Sequence, residues 1–178
     1  MADVTHGSLV QRMIGAAMLN VATYEEVEAD RSATGQAATV VAIVAVASAI
    51  GAWNAGIGAV IGGLIAAFVG WLIWSGITYF VGTRLFGGTA DWGELLRTIG
   101  FAQSPGVLNV LGIIPFLGGL VGFAVAIWVL VAGVIAIRQA LDIDTGKAVL
   151  TAIVSWIPLF LLQLFIGGAA LLGGAIAG

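Results

Sequence analysis

Charged and uncharged stretches alternate along this chain with sharp boundaries. Every Asp, Glu, Lys and Arg falls within residues 3–31, 84–97 or 138–147. Between and after these windows lie the uncharged runs 32–83, 98–137 and 148–178. One pass through a bilayer needs about 20 residues, since an α-helix rises about 1.5 Å per residue and the hydrocarbon core is about 30 Å thick. The pattern therefore predicts two membrane-spanning helices in each of the first two runs and one in the third.

Breaker residues mark where each of the first two runs turns back. Gly51 and Gly56 flank one such segment, and Pro115 lies between Gly112 and Gly118 in the other. Since glycine and proline interrupt helices, each segment is expected to join two antiparallel helices. The predicted helices span about 36–50, 58–80, 95–111, 116–137 and 148–172. The chain is therefore predicted to be an all-α membrane protein, a bundle of five transmembrane helices.

Ahead of the bundle, residues 1–35 are predicted to form a cytoplasmic or interfacial segment, and residues 36–178 form the transmembrane domain. Apolar residues recur at helical spacing between Leu9 and Val21, with polar residues such as Arg12 on the opposite side. This pattern predicts an N-terminal amphipathic helix that lies in the membrane interface. A helix packed against the cytoplasmic loops is the equal alternative.

Two helix starts carry capping signals. Asp91 and Glu94 are three residues apart before an apolar run, which is the spacing of a capping box. Asp144 or Thr145 is expected to cap the last helix. These acidic residues are therefore predicted to stabilise helix ends rather than to perform chemistry.

The composition agrees with a chain that lives in lipid. Charged residues make up 8% of the chain and hydrophobic residues 61%, with a mean hydropathy of +1.14. Soluble domains contain roughly 25% charged residues, so too little polar surface remains here to cover a globule in water. The absence of cysteine rules out disulfides and thiolate metal sites. The net charge of −3 gives no sign of a nucleic-acid partner.

The basic residues set the predicted orientation. With two hairpins followed by a single span, all six Lys and Arg residues lie at the same end of the helices. Basic residues mark the cytoplasmic side of a membrane. The N-terminus is therefore predicted inside and the C-terminus outside.

Small residues recur at every fourth position on three of the predicted helices. Such stripes let helix backbones approach closely in lipid, where apolar burial gives no drive for association. The candidate helix-packing residues are Gly58, Gly62, Gly70, Gly118, Gly122 and Gly174. Most stripes are expected to pack within the subunit, and a homo-oligomer contact through one of them is the alternative.

A polar cluster surrounds Pro105 in the third predicted helix. Proline removes a backbone donor and frees a carbonyl one turn earlier. Gln103, Ser104 and Asn109 are near enough in sequence to satisfy such groups. We expect a satisfied helix kink, and a binding site in a discontinuous helix is the alternative.

The sequence carries no recognisable set of catalytic residues. His6 is the only histidine, and the predicted spans contain almost no ionisable side chains. Ionisable groups within spans mark ion relays and coupled transport, so a proton-coupled pump is not expected. We predict that the chain is not an enzyme and binds no cofactor or metal.

Several segments of the chain resemble the Yip1 family in its bacterial form. They are Gly-Phe-Ala-Gln-Ser-Pro-Gly-Val-Leu at 100–108, Ile-Pro-Phe-Leu-Gly at 114–118, Arg-Gln-Ala-Leu-Asp at 138–142, Thr-Gly-Lys-Ala at 145–148 and the acidic segment 24–30. The resemblance runs from about Leu9 to about Phe160. It implies five membrane spans with a cytoplasmic N-terminus, in the bacterial inner (cytoplasmic) membrane.

The predicted function is that of a non-enzymatic polytopic membrane protein. We expect a scaffold or accessory subunit that packs against itself or against other membrane proteins, with membrane lipids around it and no nucleic-acid partner. The alternative is a passive channel or small-solute transporter that uses the broken helix around Pro105.

Overall fold

The chain is helical throughout the part that the structure describes. A computed structural model describes residues 7–53, 56–158 and 161. Its elements are, in chain order, α1 (Leu9–Ala17), α2 (Val21–Ala29), α3 (Ala33–Gly51), α4 (Ile57–Leu85), α5 (Trp92–Ala102), a 3₁₀ helix (Ser104–Ile113), α6 (Leu117–Leu141) and α7 (145–158). Three of them, α3, α4 and α6, are long and apolar enough to cross a membrane. The prediction of an all-α membrane protein is confirmed at this level.

The helices differ from the predicted ones mainly in the third span. The stretch predicted as one helix over 95–111 is divided into α5 and the 3₁₀ helix, which meet at Gln103. The second predicted span corresponds to α4, which continues past the predicted end at residue 80 to Leu85. Beyond residue 158, apart from 161, the last predicted helix lies outside the described residues.

The first span, α3, runs parallel to the segment made of α5 and the 3₁₀ helix, here called the α5 segment. Four pairs of neighbouring residues mark the contact between them: Ala37 with Gly100, Val44 with Gly106, Ser48 with Asn109, and Gly51 with Gly112. Both members of each pair advance together along the chain. The helix α3 and the α5 segment therefore point the same way. The helix α4, which lies between them in the sequence, must run in the opposite direction.

The second and fourth spans end side by side. The side chain of Leu141, at the end of α6, lies against Gly82 and Gly88 at the end of α4. The backbone N–H of Thr89 donates to the carbonyl of Leu141 over 3.1 Å. The helices α4 and α6 therefore run in the same direction, and successive passes of the chain alternate in direction.

The charged windows of the sequence meet at this same end of the helices. Arg97 of α5 donates to the carbonyls of Val27 and Glu28 near the end of α2, with 3.0 Å from Nε to each oxygen. Gln139 of α6 donates to a carboxylate oxygen of Glu25 over 3.0 Å. Side chains from all three windows are thus gathered around α2.

The N-terminal helix α1 presents its apolar side outward. Val10, Ile14 and Met18 are exposed, whereas Arg12 is buried to 1% of its surface. The sequence pattern placed Arg12 on the side opposite these apolar residues, but it gave no sign that this side is the buried one. The guanidinium turns inward because Glu26 and Asp30 of α2 supply its counter-charges, at 2.9 and 2.7 Å.

The helix ends are capped largely as the sequence indicates. Asp91 and Glu94 form a capping box at the start of α5, with 2.8 Å between the Glu94 N–H and a carboxylate oxygen of Asp91. Of the two candidates for α7, Asp144 accepts from the N–H of Lys147 over 3.0 Å. Both capping predictions are confirmed.

Candidate functional site

The break at Pro105 is satisfied within the chain. Proline has no N–H to donate to Phe101, the carbonyl four residues earlier, and so frees it. The Oγ–H of Ser104 donates to this same carbonyl over 2.6 Å. Ser104, Pro105 and Gly106 are all buried. Ser104 therefore stabilises the point where α5 gives way to the 3₁₀ helix.

The two amide side chains of the predicted polar cluster face a different environment. The Nδ2 of Asn109 donates to the Oγ of Ser48 on α3 over 3.1 Å. Gln103 and Asn109 both lie in the wall of a large cleft beside the break. The predicted cluster thus divides into two pairs. Ser104 and Pro105 are buried and shape the backbone, whereas Gln103 and Asn109 line the cleft.

The cleft lies among α3, α4, the 3₁₀ helix, α6 and α7, and its volume is about 1190 Å³. Of its described lining residues none is charged, and the polar ones are Ser48, Gln103 and Asn109. Trp71 and Trp74 of α4 and Trp156 of α7 also line it. The wall can therefore bind an apolar molecule by burial, with hydrogen-bonding groups at few positions.

The predicted helix-packing glycines lie mostly in open space. A Cβ built on Gly58, Gly62, Gly70 or Gly122 has no described atom within 4 Å outside its own helix turn. At Gly118 a Cβ lies 3.1 Å from the carbonyl oxygen of Gly112. Gly70 and Gly122 line the cleft, and Gly174 lies outside the described residues. As packing positions between subunits or partners, these residues stay a prediction.

Other glycines make the close helix contacts of the described chain. A Cβ on Gly51 would overlap the carbonyl oxygen of Asn109, and one on Gly100 would lie 2.8 Å from the Cβ of Ala37. The four-residue stripes of small residues did not predict this seam between α3 and the α5 segment. The available signal was the seven-residue spacing of Ala37, Val44 and Gly51, which places them on one helix face.

Acidic side chains surround Glu28 at the charged end of the bundle. Burial raises the pKa of Glu28 to about 7, and the negative charges of Asp142, Glu94 and Glu25 add to the effect while Arg97 opposes it. Arg97 is itself buried and bonded to backbone carbonyls of α2, where it complements the helix C-terminus. Glu28 therefore titrates near neutral pH in the folded protein.

This raised pKa predicts a stability that falls as the pH rises. The folded protein holds the Glu28 proton more tightly than the unfolded chain, whose ordinary value is 4.5. The stabilisation is therefore full below about 4.5 and is lost as the pH rises through about 7. Glu28→Gln is expected to raise the thermal midpoint at pH 8 more than at pH 5, measured in detergent. Equal shifts at both pH values would contradict the assignment.

A comparison with protein families matches residues 16–167 of the chain to the Yip1 domain. The chain belongs to the Yip1 family. No curated protein and no solved structure matches it. The Yip1 match takes in the break at Pro105, every described residue of the cleft wall and the seam between α3 and the α5 segment. The resemblance drawn from the sequence is confirmed, and the Yip1 chain is a membrane protein.

Proposed function

We propose that this Yip1 family protein is a non-enzymatic scaffold or accessory subunit. It acts by packing the small-residue face of α4 against a helix of a second membrane protein or of a second copy of itself. The partner-facing surface, here called the α4 face, is defined by Gly58, Gly62 and the neighbouring Ile61 and Ile65.

The observation that carries this proposal is how little of α4 is covered. Only 6% of its most apolar 18-residue stretch is buried, against 39% in α3 and 28% in α6. Ile61 and Ile65 are exposed, and Gly58 and Gly62 have no described neighbour within 4 Å of a built Cβ. In lipid, small residues let a second helix approach to backbone contact. The α4 face has the composition and the exposure that such a contact needs.

The proposed arrangement in the membrane has five spans, with the N-terminus inside and the C-terminus outside. The alternating directions of the passes and the common end of the charged windows support it. Counted from Thr98, after the last charged residue of α5, the third span holds 5 α-helical and 10 3₁₀ residues. These rise about 28 Å at about 1.5 and 2.0 Å each, close to the ~30 Å of the hydrocarbon core. The host membrane is proposed to be the bacterial inner membrane.

The exposed apolar side of α1 supports an interfacial position for the N-terminal segment. Val10, Ile14 and Met18 follow one another at every fourth position and face away from the protein. The indole N–H of Trp128, within α6, donates to the carbonyl of Ala17 over 2.7 Å. Trp128 lies 13 residues, or about 20 Å, before the charged end of α6. The end of α1 therefore lies alongside this span, while the exposed apolar side of α1 faces outward.

A passive channel or small-solute transporter is the second candidate function. The amides of Gln103 and Asn109 in the cleft wall favour it. Asn109 is engaged with Ser48, however, and the rest of the described wall is apolar or aromatic. A water-filled path would find few hydrogen-bonding groups there. Solute flux into proteoliposomes tests this second function.

The α4 face is tested by Gly62→Leu. The larger side chain blocks close approach of a second helix, and we expect it to reduce the association constant about tenfold, equal to ~1.4 kcal/mol of association free energy. The complex is measured by native electrophoresis after gentle solubilisation. Gly119→Leu in α6 is the matched control, because a Cβ there is equally open. Equal complex formation by both variants would argue against the α4 face.

A further inference from the structure

We propose that the cleft is a lipid-binding site that holds one acyl chain of a phospholipid from the leaflet opposite the charged end. The site goes beyond the proposed function, because its walls are distinct from the α4 face. Gly63 lines the cleft, whereas the adjacent Gly62 does not.

The cleft runs lengthwise between the helices. Its lining runs from Val41 to Ala52 on α3 and from Val134 back to Gly122 on α6, and on α7 it begins at Val149. At about 1.5 Å per residue the α3 and α6 walls are each roughly 17 Å long, slightly more than half of the ~30 Å hydrocarbon core. Ala52 and Gly122 lie near the helix ends remote from the charged windows, whereas Val149 lies near the charged end of α7. The cleft therefore extends from the half of the bundle nearer the charged windows into the opposite leaflet, far enough for one acyl chain to enter from there.

The chemistry of the walls fits a hydrocarbon chain. The lining combines Val, Ile, Leu, Ala and Gly with three tryptophans, and no described lining residue is charged. Leu130 of α6 and Ile153 of α7 both line the cleft and are exposed at the surface of the bundle, so the cleft is open at its side. The lipid environment of the bilayer is thus continuous with the cleft, and an acyl chain can enter sideways.

Two polar residues of the wall lie where the ester group at the end of such an acyl chain would be. Ser48 and Asn109 lie within one or two turns of the ends of α3 and the 3₁₀ helix, on the side remote from the charged windows. The hydrogen bond from Asn109 to Ser48 uses one of the two amide protons of Asn109. The second proton is available to an ester carbonyl of a lipid whose chain fills the cleft.

Filling the cleft tests the proposal. The protein is reconstituted into nanodiscs of palmitoyl-oleoyl phosphatidylethanolamine and phosphatidylglycerol, transferred to detergent, and weighed by native mass spectrometry. We expect the wild-type chain to retain one phospholipid through washing. Gly63→Leu on α4 and Gly122→Leu on α6 are each expected to reduce that occupancy about tenfold. A built Cβ at either position has no described neighbour within 4 Å, so both side chains have room in the fold.

Matched variants separate this site from the α4 face. Gly62→Leu and Gly119→Leu are expected to keep the bound phospholipid, even where Gly62→Leu loses the protein complex. The proposal would be overturned if Gly63→Leu retained as much phospholipid as Gly62→Leu. It would also be overturned if the wild-type chain lost its phospholipid as readily as Gly63→Leu.

Cysteine substitution tests the other possible occupants, since the natural chain contains no cysteine. A disulfide between Gly63→Cys and Gly174→Cys within one chain would show that the chain's own C-terminal segment fills the cleft. A disulfide-linked dimer of the single variant Gly63→Cys would show that a second copy does. Either result overturns the lipid assignment, and accessibility of Gly63→Cys only to a lipid-soluble maleimide supports it.

Discussion

Replacing Arg12 with alanine is expected to lower the free energy of unfolding by about 3 kcal/mol, because it removes one partner of a buried ionic network. The guanidinium is 1% exposed and bonds to Glu26, Asp30 and Gln36. Gln36 lies in α3, with 2.9 Å between its side-chain oxygen and Nη1 of Arg12. One side chain thus joins α1, α2 and the first spanning helix.

Arg84→Ala is the matched control for this change. Arg84 is exposed at the end of α4, and removal of an exposed side chain away from such networks usually changes stability by less than about 0.5 kcal/mol. Unfolding by SDS in mixed micelles, followed by tryptophan fluorescence, gives both free energies. A loss for Arg12→Ala no larger than that of Arg84→Ala would show that the network does not hold the N-terminal helices in place.

Gly100→Leu is expected to destabilise the protein by about 3 kcal/mol or to prevent folding, because it overfills a buried helix contact. A Cβ at Gly100 lies 2.8 Å from the Cβ of Ala37 and 3.3 Å from its carbonyl oxygen. A carbonyl oxygen of a helix cannot rotate aside as a flexible side chain can. The α5 segment would have to separate from α3, and the shared wall of the cleft would move with it.

Gly119→Leu again supplies the control, since it adds the same side chain to a helix where a Cβ meets no described atom within 4 Å. The gain in helix propensity from Gly to Leu is the same for both variants, so the difference between their unfolding free energies reports packing. Equal stability of Gly100→Leu and Gly119→Leu would contradict the close contact between α3 and the α5 segment.

The class and direction of the helices were predictable because charge is too costly to place within lipid. Arg97 and Arg138 were expected at the ends of the spans for this reason, and in the structure both lie at the end of the bundle where the charged windows meet. The capping box of Asp91 and Glu94 was predictable for a similarly local reason, since its hydrogen bonds join residues three positions apart.

The features that sequence reasoning missed depend on contacts between distant residues. The amphipathic pattern placed Arg12 opposite the apolar residues of α1, but its burial depends on carboxylates one helix later, which no local pattern indicates. The closely packed glycines were sought in four-residue stripes, whereas Gly100 and Gly106 follow the altered pitch of an α-helix that becomes a 3₁₀ helix. Gln103 and Asn109 were predicted to surround the same proline, but no local pattern indicates that they share a cleft wall with α4, α6 and α7.

The most direct test of the proposed function is the native mass spectrum of the wild-type protein, extracted from its own membrane into lipid nanodiscs. The proposal predicts a defined species heavier than one 18.0 kDa chain, either a multiple of that mass or its sum with a second membrane protein. The heavier species should be lost in Gly62→Leu and kept in Gly119→Leu. A wild-type spectrum that contains only the single chain and its bound lipids would contradict the proposal that the α4 face seats another membrane helix.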